Sequence, residues 1–292
     1  MIDLHIHSNY SDGSESIKDI LKEAEKRKLE VISITDHDTI KAYDELKMID
    51  IKQYYSGTII SGCEMKCVYK NTPVEVLGYN IDIDKIRNSK NLGQEKNLNI
   101  QKRYLEHIKR SGKQIGLIFN DELDINMKKI QYASDIFEKE ILKYPENIEI
   151  LKKNNLEIKP NFYRAQQCNQ DSIFYIDETI SFPSMEEIIE EIHNAGGLAF
   201  LAHAYIYPFD NTLEIVEEMI NTQKLDGIEC YYSYFNNEQT QNLIKLCNKY
   251  NLYMSGGTDF HGKNRPDTQM GIGTGDLRIK KEIIENWGIQ VK

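Results

Sequence analysis

Ile2-Asp3-Leu4-His5-Ile6-His7, followed after a polar loop by Ser16-Ile17-Lys18-Asp19-Ile20-Leu21-Lys22-Glu23-Ala24, is the stretch on which the fold reading turns. Its first half is rich in β-branched and apolar residues with a polar residue at every second position, which reads as a strand. Its second half opens on Ser16 in a capping box with Asp19 and places Ile17, Ile20, Leu21 and Ala24 on one helical face. Working outward, strand-like segments recur at 31–35, 58–63, 74–79, 198–202, 227–231 and 252–256. Ser184 with Glu187 and Asn236 with Gln239 open further amphipathic helices, the first ending at Gly196-Gly197. Strand-then-helix alternation implies mostly parallel strands joined by right-handed crossovers. Seven such units point to a (βα) barrel of the α/β class rather than an open sheet. One break is visible: Lys70-Asn71-Thr72-Pro73 is too short for a crossover helix, so strands three and four are expected to form a hairpin.

From Asp84 to Phe182 the chain is rich in Lys, Asn, Glu, Ile and Tyr and lacks strand patterning, with helix-like runs at 128–144 and 147–156. This gives a barrel in two parts, 1–83 and 183–292, with a helical insertion at 84–182 of the kind that serves as a lid or substrate domain. Lys plus Arg number 36 against 46 Asp plus Glu, a net charge of −10, which disfavours a broad grip on duplex nucleic acid. Apolar runs such as 198–202 fall far short of the roughly 18 residues of a membrane span. The five cysteines, scattered and without a CxxC pair, read as reduced core thiols. With no signal peptide in view, a cytoplasmic protein is expected.

The chemistry-bearing residues gather at strand ends. His5 and His7 alternate on one face about 6.6 Å apart, close enough to converge on one ion; alone, the pair could equally be the polar face of an edge strand. Asp3 shares that face and could orient an imidazole. Asp12 lies in the following loop, His37 past strand two, Glu64 at the end of strand three, Glu75 on strand four, His203 past strand five, and Asp259 and His261 past strand seven. Glycines around Asp259 permit close backbone approach to a ligand. Parallel α/β barrels place their reactive groups at the C-terminal rim. Nine imidazole and carboxylate candidates exceed one ion's needs, and such a set without thiolate suits manganese, iron or zinc. His107 and His193, within helices, are assigned no function.

Asp3-Leu4-His5-Ile6-His7-Ser8 with Ser11-Asp12-Gly13, Ile34-Thr35-Asp36-His37-Asp38, Gly62-Cys63-Glu64, Ala202-His203 and Gly257-Thr258-Asp259-Phe260-His261-Gly262 together resemble the PHP (polymerase and histidinol phosphatase) family. The resemblance implies a distorted, TIM-like (βα)7 barrel and a di- or trinuclear centre of divalent metal that hydrolyses phosphate esters through a metal-activated hydroxide. It implies a first ion on His5, His7, Glu64 and Asp259, a second bridged by Glu64 and held by His203, and a third on Asp12, His37 and His261. Glu75 stands where many relatives have a histidine. Pro160-Asn161-Phe162-Tyr163-Arg164 resembles a segment in which relatives that cleave small nucleotides carry a histidine and an arginine; Asn161 replaces the first and Arg164 keeps the second. Glu64, His203, Asp259 and Arg164 are thus expected to carry the reaction, with Arg164, Asn161, Lys263 and Arg265 at the substrate. The layout resembles most the subgroup acting on nucleoside 3′,5′-bisphosphates or trimming short RNA. A histidinol-phosphate phosphatase and a non-catalytic, metal-stabilised PHP module are the alternatives.

Overall fold

The computed structural model describes residues 1–125, 132–159 and 161–288, and only the backbone of residues 94–97. The chain divides into two compact units, Met1–Leu92 with Phe182–Lys292, and Gly93–Ser181. The first is a seven-stranded sheet whose spatial order follows the sequence: β1 (Ile2–Ile6), β2 (Val31–Ile34), β3 (Thr58–Tyr69), β4 (Thr72–Tyr79), β5 (Leu198–Leu201), β6 (Gly227–Tyr232) and β7 (Tyr253–Gly257). The sheet nearly closes. Beyond β7, Phe260 bridges Ile6, accepting from His7 N–H at 2.9 Å and donating to His5 O at 3.3 Å.

Three helices show why the local sequence folds as it does. On α1 (Ile17–Lys26) the apolar stripe Ile17, Ile20, Leu21 and Ala24 is buried against the sheet, and each large side chain on it contributes about 1.5–3 kcal/mol. Ser16 accepts from Asp19 N–H, but the Asp19 carboxylate takes the Ser16 hydroxyl rather than its backbone N–H, so the expected reciprocal box is half formed. Aspartate is one methylene too short to reach back. At Ser184–Glu187 and Asn236–Gln239 both halves of the box are present, and they start α7 (Met185–Asn194) and α9 (Asn237–Tyr250).

The hairpin between strands three and four is real and longer than the sequence reading drew it. β3 does not end near Glu64; it runs on to Tyr69, pairs antiparallel with β4, and reverses through Lys70 and Asn71, both left-handed at φ 45° and 62°. Two successive positive-φ residues make the tight turn that suits the twist of paired strands. The consequence for the site is direct. β4 is antiparallel to both neighbours, so its N-terminal part, with Glu75, lies at the rim where β3 and β5 carry their C-terminal groups. Leu77 and Tyr79, two and four residues on, belong to the cluster that packs the other end with Phe200 and Trp287.

The glycine at the end of β7 is needed for strand packing, not for a ligand. A Cβ on Gly257 would stand 2.3 Å from the backbone nitrogen and the Cβ of His5. We expect Gly257→Ala to cost about 2–3 kcal/mol, the upper range for overpacking, in urea denaturation; an unchanged midpoint would mean that β1 and β7 have room to spare.

Residues 84–92 belong with the barrel: Ile86 lies in its core, and Ser89 and Asn91 hydrogen-bond Glu191 on α7. The second unit contains α4 (Gln94–Gln114), α5 (Ala133–Ile141) and α6 (Glu146–Lys153), and has its own core around Phe137, Phe162 and Phe174. Of the helix expected at 128–144, α5 covers 133–141 and residues 142–144 lie beyond its end; residues 128–131 lie outside the described residues. Four cysteines are buried, as expected of core thiols, whereas Cys168 is exposed at the end of a single turn of π-helix, Tyr163–Gln167. Among the described residues no helix is long and apolar enough to cross a membrane.

Candidate metal centre

The nine candidate ligands meet at one rim of the barrel. Four overlapping groups place ligand atoms within 4.8 Å of one another: His7, Asp12, His37 and His261; His5, His7 and Glu64; His5, His203 and Asp259; and His37, Glu64 and Glu75. Glu64 is the hub. Its Oε2 lies 3.2 Å from both His5 Nε2 and His7 Nε2 and 3.1 Å from His37 Nδ1, while Oε1 lies 2.8 Å from His203 Nε2. Asp259 Oδ1 sits 3.1 Å from His7 Nε2 and 3.5 Å from His5 Nε2. Glu75 reaches His37 and His203 at 3.4 and 3.5 Å, and Asp12 reaches His261 Nε2 at 3.1 Å.

Hydrogen bonding alone cannot account for this packing. His5 Nε2 and His7 Nε2 are 3.1 Å apart, and His7 Nε2 also faces Glu64 and Asp259. One ring hydrogen can serve one of these partners, not all. Asp12 Oδ1, His37 Nδ1 and His261 Nε2 are buried without a hydrogen-bond partner. Two donors bound at about 2.1 Å to a common ion, at tetrahedral to octahedral angles, lie about 3.0–3.4 Å apart. Most of the observed spacings fall in that range and the rest between 2.8 and 3.5 Å, so the residues fit divalent cations.

The clustered groups shift one another's protonation. Burial opposes the charged form of His7, yet the hydrogen bonds it donates to Asp259 and Glu64 outweigh it and raise the imidazole to about 10. At His37 burial prevails and the ring falls to about 3. Burial also works against the Glu64 carboxylate, but the charged His5 ring and the hydrogen bond from His203 hold it well below the ordinary range. Glu75 goes the other way, pushed up by burial and by the neighbouring Glu64 charge.

Several residues steer the cluster without being in it. Asp36, at the end of β2, accepts from Ser8 N–H, Ser8 Oγ and Ser11 Oγ at 2.7, 2.6 and 2.5 Å, pinning the loop that carries Asp12. Asp3 does not orient an imidazole as its alternation with His5 suggested. Its carboxylate accepts from Thr258 N–H, Thr258 Oγ1 and Gly271 N–H, because the close approach of β7 puts those donors nearer than any ring. The carboxylate that meets an imidazole is Glu229, on β6, 2.9 Å from His5 Nδ1. Sequence reading passed over it, although a lone Glu between Ile228 and Cys230 in a buried strand is the kind of signal that marks one. Tyr232 was missed likewise; its hydroxyl donates to Asp259 Oδ2 at 2.8 Å. Asp259 itself is left-handed, φ 55°, and its carbonyl takes the His261 Nδ1 hydrogen at 2.8 Å, turning Nε2 toward Asp12.

The substrate-side candidates are placed as follows. Arg265 pairs with Asp259 Oδ2, and the proximity holds its guanidinium firmly charged against the cost of burial. Lys263 is exposed, its backbone N–H on Ser14 Oγ. Asn161 and Arg164 are exposed residues of the second unit, where Asn161 Oδ1 accepts from Arg164 N–H at 2.9 Å and the guanidinium lies over the Tyr163 ring. Cys63 and Cys67 lie in the core, Cys63 Sγ bonding to the Asp36 carbonyl, and neither joins a ligand group.

Comparison with known proteins adds four findings. The sequence profile of the PHP domain family matches residues 3–270. The 5′-3′ exoribonuclease Rnm of Escherichia coli is 24% identical over 267 residues, covering 89% of this chain and 84% of that protein. The phosphoribosyl 1,2-cyclic phosphate 1,2-diphosphodiesterase of Eggerthella lenta is 20% identical over 268 residues, 89% of this chain and 94% of that one. Among solved structures, a protein of Bifidobacterium adolescentis described as a candidate metal-dependent phosphoesterase superposes with a TM-score of 0.65 at 22% identity, over 97% of this chain and 93% of the other.

Proposed function

The chain belongs to the PHP domain family and is a metal-dependent phosphoesterase, and from that premise we propose that it hydrolyses a small nucleotide phosphate, such as a nucleoside 3′,5′-bisphosphate, or the end of a short oligonucleotide. The observation that carries the reading is the Glu64 hub, one carboxylate whose two oxygens face separate sets of imidazoles. His5, His7, Glu64 and Asp259 would hold one divalent ion of manganese, iron or zinc, Glu64, His203 and Glu75 a second, and Asp12, His37 and His261 a third. Such ions lower the pKa of water toward neutrality and neutralise phosphoryl oxygens.

The chain's own groups do the rest. Tyr232 and Arg265 hold Asp259 Oδ2, which leaves Oδ1 toward His5 and His7. Asp36 fixes the loop that presents Asp12. Arg164, Lys263 and Arg265 supply cations suited to phosphate oxygens, and Asn161 sets the turn on which Arg164 stands. A net charge of −10 favours a compact anion drawn to a local centre over a long polyanion gripped along its length. The relatives act on RNA and on a cyclic ribose phosphate by their names, which agrees with a nucleotide-like substrate.

A substrate panel tests this. Adenosine 3′,5′-bisphosphate, 5′-phosphorylated short oligoribonucleotides and histidinol phosphate are incubated with the protein and Mn²⁺, Fe²⁺ or Zn²⁺. We expect release from a nucleotide at least about tenfold faster, roughly 1.4 kcal/mol in the barrier, than from histidinol phosphate. Faster release from histidinol phosphate would reject the nucleotide reading, and no release with any ion would favour a non-catalytic module.

A further inference from the structure

Two short polar contacts in the barrel converge on one residue outside the ligand set. Glu229 is fully buried on β6; its Oε1 lies 2.9 Å from His5 Nδ1, and its Oε2 accepts from the backbone N–H of His203 at 2.8 Å. We propose that Glu229 is a positioning residue for the metal centre, fixing the orientation of the His5 ring and the turn that carries His203 with a single carboxylate.

The chemistry follows from which atoms can donate. An ionised carboxylate only accepts, so the hydrogen between Glu229 and His5 belongs to Nδ1. A neutral ring with its hydrogen on Nδ1 presents a bare Nε2. That nitrogen is the one lying 3.1 Å from His7 Nε2, 3.2 Å from Glu64 Oε2 and 3.5 Å from Asp259 Oδ1. Glu229 therefore aims the lone pair of His5 into the cluster. Its second oxygen acts on another ligand. His203 stands just past the end of β5, and its N–H goes to Glu229 rather than to a neighbouring strand.

Local backbone supports the assignment. The pairing of β6 with β7 slips between Glu229 and Tyr231, and irregularities of this kind re-aim a strand side chain. The chemical type is also constrained. A glutamine at 229 has one acceptor oxygen and one donor nitrogen, so it can satisfy His5 or His203 but must turn its amide N–H₂ on the other. Outer partners of metal-bound histidines commonly set affinity by about 10- to 100-fold. The proposal rests on the metal centre but not on the choice of substrate.

The test uses the full chain with selectively ¹⁵N-labelled histidine, freed of metal by chelator and then titrated with Mn²⁺ in competition with an indicator. In the wild type reloaded with Zn²⁺, His5 is expected to show a hydrogen on Nδ1 and to bind the ion through Nε2. Glu229→Gln is expected to lose that signature and to bind Mn²⁺ 10- to 100-fold more weakly. Ile228→Val, a neighbouring core change, is expected to leave both as they are. Zn²⁺-loaded wild type with His5 bound through Nδ1, or a Glu229→Gln protein with unchanged affinity, would overturn the proposal. If Glu229→Gln does not fold, the wild-type spectrum decides alone. A wild type that binds no Mn²⁺, Fe²⁺ or Zn²⁺ would defeat the metal centre itself, which is a separate failure.

Discussion

Replacing Glu64 by glutamine is expected to cut turnover by at least about a thousandfold, ~4 kcal/mol of transition-state stabilisation, while metal content falls and the fold persists. The side chain keeps its shape, so the 0%-exposed site is not emptied. What changes is the set of lone pairs. Oε2 now serves His5, His7 and His37, and Oε1 serves His203. An amide nitrogen in either place donates where an acceptor is needed, and the negative charge that would attract cations is gone. Elemental analysis and steady-state kinetics on the same preparation measure both effects. A variant with full metal content and full turnover would remove Glu64 from the centre, and with it the reading of the cluster.

Asp3→Ala is expected to cost about 3–5 kcal/mol of stability. Asp3 is fully buried and accepts from Thr258 N–H at 2.9 Å, Thr258 Oγ1 at 2.6 Å and Gly271 N–H at 2.8 Å. Alanine leaves those buried donors without an acceptor, and each orphaned group costs about 1–3 kcal/mol. The effect reaches the site because Thr258 directly precedes Asp259. Urea denaturation should show an earlier midpoint, and residual activity should fall with metal affinity. An unchanged midpoint would show that the seam between β1 and β7 is held by the Phe260 backbone bonds alone.

Much of the barrel is legible in the sequence because its elements carry local signals. The Ser184 and Asn236 capping boxes and the Ile17-Ile20-Leu21-Ala24 stripe each report on one helix and are found where expected. The ligand candidates are legible for a related reason: imidazoles and carboxylates past the ends of apolar strands have few roles there except at a rim. What was misread depends on partners distant in the chain. The length of β3 is set by pairing with β4, which no property of 64–69 announces. Asp3 and His5 alternate on one face, yet only the approach of β7 decides that Asp3 binds backbone N–H groups and leaves the imidazole to Glu229. The glycines near Asp259 look like room for a ligand, but at Gly257 the neighbour is another strand.

The place of the helical unit in the chain bears on how the protein is made. Tyr79 on β4 pairs with Leu198 on β5, about 120 residues later, so this edge cannot zip until the intervening polypeptide has left the ribosome. A loop of that length costs more to close than a hairpin does, and non-local pairing is slow. The Phe137, Phe162 and Phe174 cluster lies wholly within that loop, so its core needs no strand of the barrel. A nascent chain halted before Leu198 emerges would leave β4 with an unpaired edge, the kind of edge on which chains aggregate.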